Sequence, residues 1–169
     1  MKKVIVIGCP GSEKTTFAIG LRDKTSLPLY HLDAIWHKPD RTHITREEYD
    51  SRIAEILSLD SWIIDGNYSR TIEARISACD TVFLFDLPCE VCLDGAISRL
   101  GKERCDMPWT SASLDPDFEK QIREFGKTKL PQIYEIIKKY SDKRVIVFTS
   151  REQANDFLKE EKCDFVNQT

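Results

Sequence analysis

The residues best placed to do chemistry lie in one short stretch, Gly8-Cys9-Pro10-Gly11-Ser12-Glu13-Lys14-Thr15-Thr16. It has the spacing of a phosphate-binding loop, G-x-x-x-x-G-K-S/T, with Glu13 where the pattern has its last glycine. Such a loop holds a polyphosphate because successive backbone N–H groups point inward and the following helix adds partial positive charge at its N-terminus. Lys14 would reach the β- and γ-phosphates of ATP, the Thr15 hydroxyl would ligate Mg2+, and Thr16 would donate to the α-phosphate. The bland alternative is a plain strand-turn-helix with an incidental Lys-Thr. Glu13 is the departure. A side chain there competes for phosphate space, and a carboxylate adds repulsion on the order of 4 kcal/mol per contact at about 4 Å and an effective dielectric of about 20, before Lys14 and Mg2+ screen it. Either the carboxylate swings outward and a weakened kinase survives, or Glu13 fills the anion site and leaves a pseudo-kinase. Glutamate is a good helix former, favoured near a helix N-terminus, so the fold is expected to tolerate it.

The elements that must position this loop can be read from periodicity. Residues 3–7 (KVIVI) are a continuous β-branched run, the signature of a strand buried on both faces, and helical character follows over 14–23. Further strands are expected at 29–32, 62–64, 81–85 and 144–148. Thr45 with Glu48 forms a capping box that opens a helix running to residue 59. Helices are also expected at 89–100, at 117–140 with a break near Gly126 and Pro131, and at 152–160. The stretch around His31, Asp33, Trp36, His37 and Pro39 reads as a loop. Residues 101–116 lack periodicity and read as a loop or lid. Five short apolar strands separated by helices predict an α/β fold with a parallel, doubly wound sheet, which binds ligands beyond the carboxyl ends of its strands. The loop, Asp33 and Asp65 all follow strands. Asp65 ends a buried strand where a carboxylate can hold a Mg2+-bound water, although Asp65-Gly66 is also an ordinary turn pair.

Composition narrows the field. The chain has 169 residues, 41% hydrophobic and 31% charged, which suits one domain with a real core. No apolar run approaches the roughly 18 residues of a membrane span, and the start MKKVIVIG is too short for a signal peptide, so a cytoplasmic protein is expected. Lys plus Arg is 25 against 28 Asp plus Glu, a net charge of −3 and a pI near 5.7. Direct DNA binding needs a basic face, and the basic residues here are spread among acids. The six cysteines, Cys9, Cys79, Cys89, Cys92, Cys105 and Cys163, read as reduced thiols, and Cys89-x-x-Cys92 as two half-buried helix positions rather than a redox or zinc site.

The chain resembles the adenylate-kinase-related P-loop kinases, and specifically the FlaR-type DNA topology modulation proteins. The segments that carry the resemblance run nearly end to end: VIGCPGSEKTTFA, PLYHLDAIWHKP, WIIDGNYS, DTVFLFDLP, CDMP and KRVIVFTS. The loop alone says only P-loop; HLD-x-x-W-x-K-P with DGNYS is far more specific. The resemblance implies a five-stranded parallel sheet of order 2-3-1-4-5 in a single domain over 1–169. It also implies an acceptor region at about 31–60 and an arginine-bearing lid at about 99–116. It gives Asp65 the magnesium-water role and places His31 and Asp33 at the acceptor. There Asp33 would take or orient a hydroxyl proton, or merely cap the next turn. Asn67, Tyr68 and Arg70 would face the acceptor; Trp36 reads as packing and His37 is open. Arg99 and Arg104 flank the lid start with Lys102 between them, and would bring guanidiniums to the migrating phosphoryl group or simply face solvent. Lys127 and Lys129 are weaker alternatives, Arg151 lies near the base by position only, and Gly95 stands where the related chains carry a basic residue.

Two functions compete on this reading. One is an ATP- and Mg2+-dependent kinase for a small-molecule acceptor such as a nucleotide or nucleoside. The other is a non-catalytic, regulatory P-loop protein acting on DNA topology or through a partner.

Overall fold

The β-branched run that opens the chain becomes the central strand. In the structure, a computed structural model that describes residues 1–160, β1 (Lys3–Gly8) lies between β3 (Trp62–Asp65) and β4 (Thr81–Phe85). The edges are β2 (Leu29–His31) and β5 (Arg144–Phe148). All pairings are parallel and the order is β2-β3-β1-β4-β5, the α/β arrangement of the P-loop kinase fold. Val4, Ile5, Val6 and Ile7 are fully buried, as a strand covered by helices on both faces requires. Each such side chain contributes about 1.5–3 kcal/mol of burial.

Helix α1 (Lys14–Thr25) follows the loop and is fixed to the sheet by one aromatic residue. The Phe17 ring meets Phe83, Phe85 and Phe148 edge-on at centroid distances of 4.8, 5.4 and 5.2 Å. Edge-to-face pairs of this kind add to area burial and leave the ring few orientations, so the helix N-terminus is held rigidly under the loop. Half of the capping box forms: the Thr45 side chain accepts from the Glu48 N–H at 3.1 Å and opens α3 (Arg46–Ser58), while the Glu48 carboxylate pairs with Arg52 instead of reaching back.

Several expectations are corrected. The stretch read as a loop after β2 contains a short helix, α2 (Leu32–Trp36), which puts Asp33 in a first helical turn. A helix not anticipated, α4 (Ile72–Ala78), follows a 3-10 turn at Ser69–Thr71. Helix α5 (Cys89–Ile97) stops short of residue 100. The helical stretch over 117–140 is broken as expected, into α6 (Pro116–Thr128) and α7 (Leu130–Lys139). Their junction is at Lys129, with Pro131 in the first turn of α7, where a missing N–H costs nothing. Gly126 sits inside α6 with open space around it, so it imposes no break. The chain's last described element is α8 (Arg151–Glu160). Residues 101–115 hold only turns and an isolated bridge between Arg104 and Met107. Among the described residues no helix is long and apolar enough to cross a membrane. Cys9, Cys79, Cys89, Cys92 and Cys105 are free thiols, with Cys92 buried and Cys89 half-buried; Cys163 lies outside the described residues.

Candidate active site

The register of the sheet converts separate motifs into one site. Val6 of β1 pairs with Asp65 of β3, and His31 of β2 pairs with the same Asp65. The carboxyl ends of three strands therefore deliver the loop, Asp65 and His31 to one crevice. Two glycines shape the loop itself. Gly8 has φ +140°, and a Cβ there would run into the Phe85 backbone; Gly11 has φ +85°, and a Cβ would overlap the Cys92 carbonyl. Only glycine meets both demands, a left-handed backbone and a close approach.

Asn67 clasps the loop's first peptide from both sides. Its Oδ1 accepts from the Gly8 N–H at 3.0 Å and its Nδ2 donates to the Gly8 carbonyl at 2.8 Å. Sequence reasoning set Asn67 toward an acceptor; its amide is committed to the loop instead. Lys14 is buried, and its Nζ donates to the Cys9 carbonyl at 2.8 Å, which keeps the ammonium inside the loop's curl. Burial pushes its pKa down, against the opposing pull of Asp65.

An oxygen-rich wall faces Lys14. The Thr15 hydroxyl donates to Asp65 Oδ2 at 2.7 Å and lies 3.2 Å from Asp106 Oδ2. His31 Nδ1 is 3.1 Å from the same Asp65 oxygen. Asp106 is buried and held by Arg104, whose Nε donates to Oδ1 at 2.9 Å while Nη2 meets Oδ2. Burial alone would raise the Asp106 pKa; the Arg104 guanidinium outweighs it and holds the carboxyl below its usual range. A hydroxyl and two carboxylates are hard oxygen donors, a set that fits Mg2+. Asp106 escaped the sequence reading, although it stands in the quoted CDMP segment; an acid among the lid's basic residues was the available signal.

Asp33 in α2 is half-buried, and the Tyr68 phenol bears on its carboxylate. Burial raises the Asp33 pKa, and the negative charges of Asp106 and Asp65 raise it further. The folded state therefore binds the Asp33 proton more tightly than the unfolded chain does. The stability this confers is full below the unfolded carboxylate pKa and is lost as pH rises through the raised value. Asp33→Asn should accordingly melt higher than the native protein near pH 7, and the gain should vanish in melts run below about pH 4. A variant no more stable at neutral pH would show that Asp33 bears no such penalty.

The remaining candidates divide by position. A cavity of about 1010 Å³ is lined by Lys14, Thr15, Asp33, Asp65, Arg99 and Arg104, and also by Gly11, His37 and Trp109. The Arg99 Nε donates to the Gly95 carbonyl at 3.1 Å, just beyond the end of α5. His37 meets the Trp109 ring edge-on at 4.9 Å, whereas Trp36 stacks on His43 at 4.5 Å and packs as expected. Lys102 and Lys129 line the cavity; Lys127 does not. Arg70 does not line it either, and pairs with half-buried Asp50 outside. Ser12, Glu13 and Thr16 face a separate small depression beside Arg151. The Ser12 hydroxyl is buried there without a hydrogen-bond partner. Glu13 has φ +71° and stands just outside α1, so helix propensity does not bear on it: the left-handed backbone is what favours glycine at this point.

No protein-family model and no curated protein matches the chain. Among solved structures it is similar to a gluconokinase from Sinorhizobium meliloti 1021, at 11% identity and a TM-score of 0.57 over 94% of this chain and 87% of that one. It is also similar to a shikimate kinase from Acinetobacter baumannii in complex with shikimate, at 15% identity and a TM-score of 0.59 over 94% and 89%. An unliganded sugar kinase from Janibacter sp. HTCC2649 aligns at 19% identity and a TM-score of 0.55 over 94% and 91%. At these identities the likeness is one of fold.

Proposed function

We propose that this chain is a kinase of the FlaR type that transfers the γ-phosphoryl group of ATP to a small hydroxyl-bearing acceptor. The observation that carries the reading is the convergence of Lys14, the Thr15–Asp65 pair and Asp33 on one cavity that Arg99 and Arg104 also line. The solved structures of similar fold are named as kinases of sugars, gluconate and shikimate, which supports the reaction class and leaves the acceptor open.

In this reading the loop's N–H groups and the N-terminus of α1 bind the phosphate chain, and Lys14 follows the charge that builds on the γ-phosphoryl oxygens. Thr15 and Asp65 would hold Mg2+, with Asp106 steadying the same hydroxyl. Among the described residues no group of three or more His, Cys, Asp or Glu side chains is arranged as a metal site, so waters and phosphate oxygens would complete the shell. A Mg2+ ion held by these residues would neutralise negative charge on the phosphate chain. Asp33, its pKa raised by burial, takes the proton from the acceptor hydroxyl. Arg99 and Arg104 stabilise the charge on the transferring group, with residues 99–116 as the lid and 31–60 as the acceptor region.

The test is a screen of sugars, nucleosides and nucleoside monophosphates with Mg·ATP, following ADP release. With the acceptor found, Asp65→Asn should lower turnover about 10- to 100-fold while metal-free nucleotide affinity stays near native. Equal losses in both would make Asp65 a structural residue. Absence of acceptor-dependent release across the screen, with Mg·ATP binding retained, would favour the regulatory reading. Salt-dependent duplex binding would then connect it to DNA.

A further inference from the structure

We propose that Arg151 is the residue that keeps the Glu13 carboxylate out of the phosphate site, and that Gly95 makes the room Arg151 needs to do so. The inference rests on the nucleotide-binding reading above.

Glu13 occupies the loop position nearest the incoming phosphates, yet its side chain is 43% exposed and turned away from the large cavity. Its Oε1 lies 3.2 Å from Arg151 Nε. The Nε is buried and makes no aligned hydrogen bond, so the contact is an ion pair rather than a directed bond. The rest of the guanidinium explains its orientation. Nη2 donates to the Val91 carbonyl on α5 at 2.8 Å and to the Gly11 carbonyl in the loop at 3.2 Å. Two backbone carbonyls from different elements thus fix the guanidinium, and its remaining edge faces Glu13. A cation held in this way is a better partner than a free surface arginine, because its side-chain entropy is already spent.

Gly95 belongs to the same set. A Cβ at residue 95 would overlap both the Gly11 carbonyl and Arg151 Nη2. Any side chain there would expel the guanidinium from its seat or push α5 off the loop. Glu13 and Gly95 are therefore joined in space by one arginine at the start of α8.

Other charges near Glu13 do not replace this partner. Lys14 is committed to the Cys9 carbonyl. Arg99 feels the Glu13 charge, but its Nε donates to Gly95 and its side chain lines the large cavity. With Arg151 truncated, the carboxylate is free to rotate toward the phosphates, and its repulsion falls on the bound anion.

The experiment is calorimetric titration of Mg·ATP and of inorganic triphosphate into the native protein, Arg151→Ala, Arg151→Lys, Glu13→Gln and the Glu13→Gln/Arg151→Ala double variant. Arg151→Ala should weaken both ligands about tenfold, since even a screened like-charge contact is worth that much. In the Glu13→Gln background the same truncation should change affinity by no more than about twofold, because no carboxylate remains to release. Arg151→Lys should recover part of the loss. Equal losses in both backgrounds would mean that Arg151 merely braces Gly11 and Val91, and the proposal falls while nucleotide binding stands. No effect in either background also overturns it. If no variant binds either ligand, Glu13→Gln included, the nucleotide reading fails and takes this proposal with it.

Discussion

Lys14→Ala is expected to reduce phosphoryl transfer from Mg·ATP by about 10²- to 10³-fold, the loss found when one preorganised donor to a developing negative charge is removed. The expectation follows from where the ammonium sits. It is buried in the loop's curl, 2.8 Å from the Cys9 carbonyl, so in the proposed mechanism the charge is already held where the phosphates would bind. Surface lysines could not replace it, since water would screen them. Burial disfavours this charge in the folded protein, as the lowered pKa records, so the alanine variant should melt no lower than the native chain. Stability retained and activity lost is the pattern of a residue kept for function. ADP release measured with the identified acceptor, alongside a thermal melt, checks both halves. Unchanged release would remove the loop from the mechanism.

Arg75→Met should destabilise the fold by about 3–5 kcal/mol, the cost of breaking a buried charged network from one side. Arg75 has no exposed surface. Its Nη1 donates to the Gly66 carbonyl at 2.8 Å, Nη2 to the carbonyls of Asn67 and Tyr68, and Nε to the Thr71 hydroxyl at 3.2 Å. Burial lowers its pKa to about 10, still high enough to leave it charged at neutral pH. Methionine fills similar volume but leaves these carbonyls buried without donors, at about 1–3 kcal/mol each when unrelieved. The same carbonyls frame the turn that carries Tyr68 at φ +29°, a strained backbone that persists only while its surroundings hold it. Urea denaturation should show the loss, and nucleotide affinity should fall with it, because Asn67 on this turn clasps Gly8. A loss below about 1 kcal/mol would show that water replaces the guanidinium and that the turn is self-supporting.

The contrast between these two residues shows what could be read from the sequence. Lys14 is legible because its setting depends on neighbours in the chain: a strand of fixed length, a glycine turn and a helix start lie within a dozen residues of it. The Thr45–Glu48 cap is legible for the same reason, its bond spanning a single turn. Arg75 is opaque. It lies in α4, a short helix without an anticipated pattern, and its partners are backbone carbonyls whose direction depends on a positive φ at Tyr68. Asn67 was visible as a polar residue near the site, but not as the clasp of a peptide 59 residues earlier. Arg70, beside it in sequence, turns out of the cavity to Asp50.

By itself the sequence determined the parallel α/β architecture, the strand-loop-helix around Lys14 and the placing of Asp33 and Asp65 after strands, because burial pattern and turn chemistry act over a few residues. The tertiary structure alone decided which oxygens share the Thr15 hydroxyl, bringing Asp106 from 91 residues away to stand beside Asp65. It alone turned Glu13 toward Arg151 and fitted Gly95 against the loop. These outcomes depend on the register of β1 with β3 and on the seat of α5 against Gly11, where an ångström settles whether two groups bond or clash. Short-range propensity carries no such information, since the energy that selects each contact arises only when distant segments exclude water together.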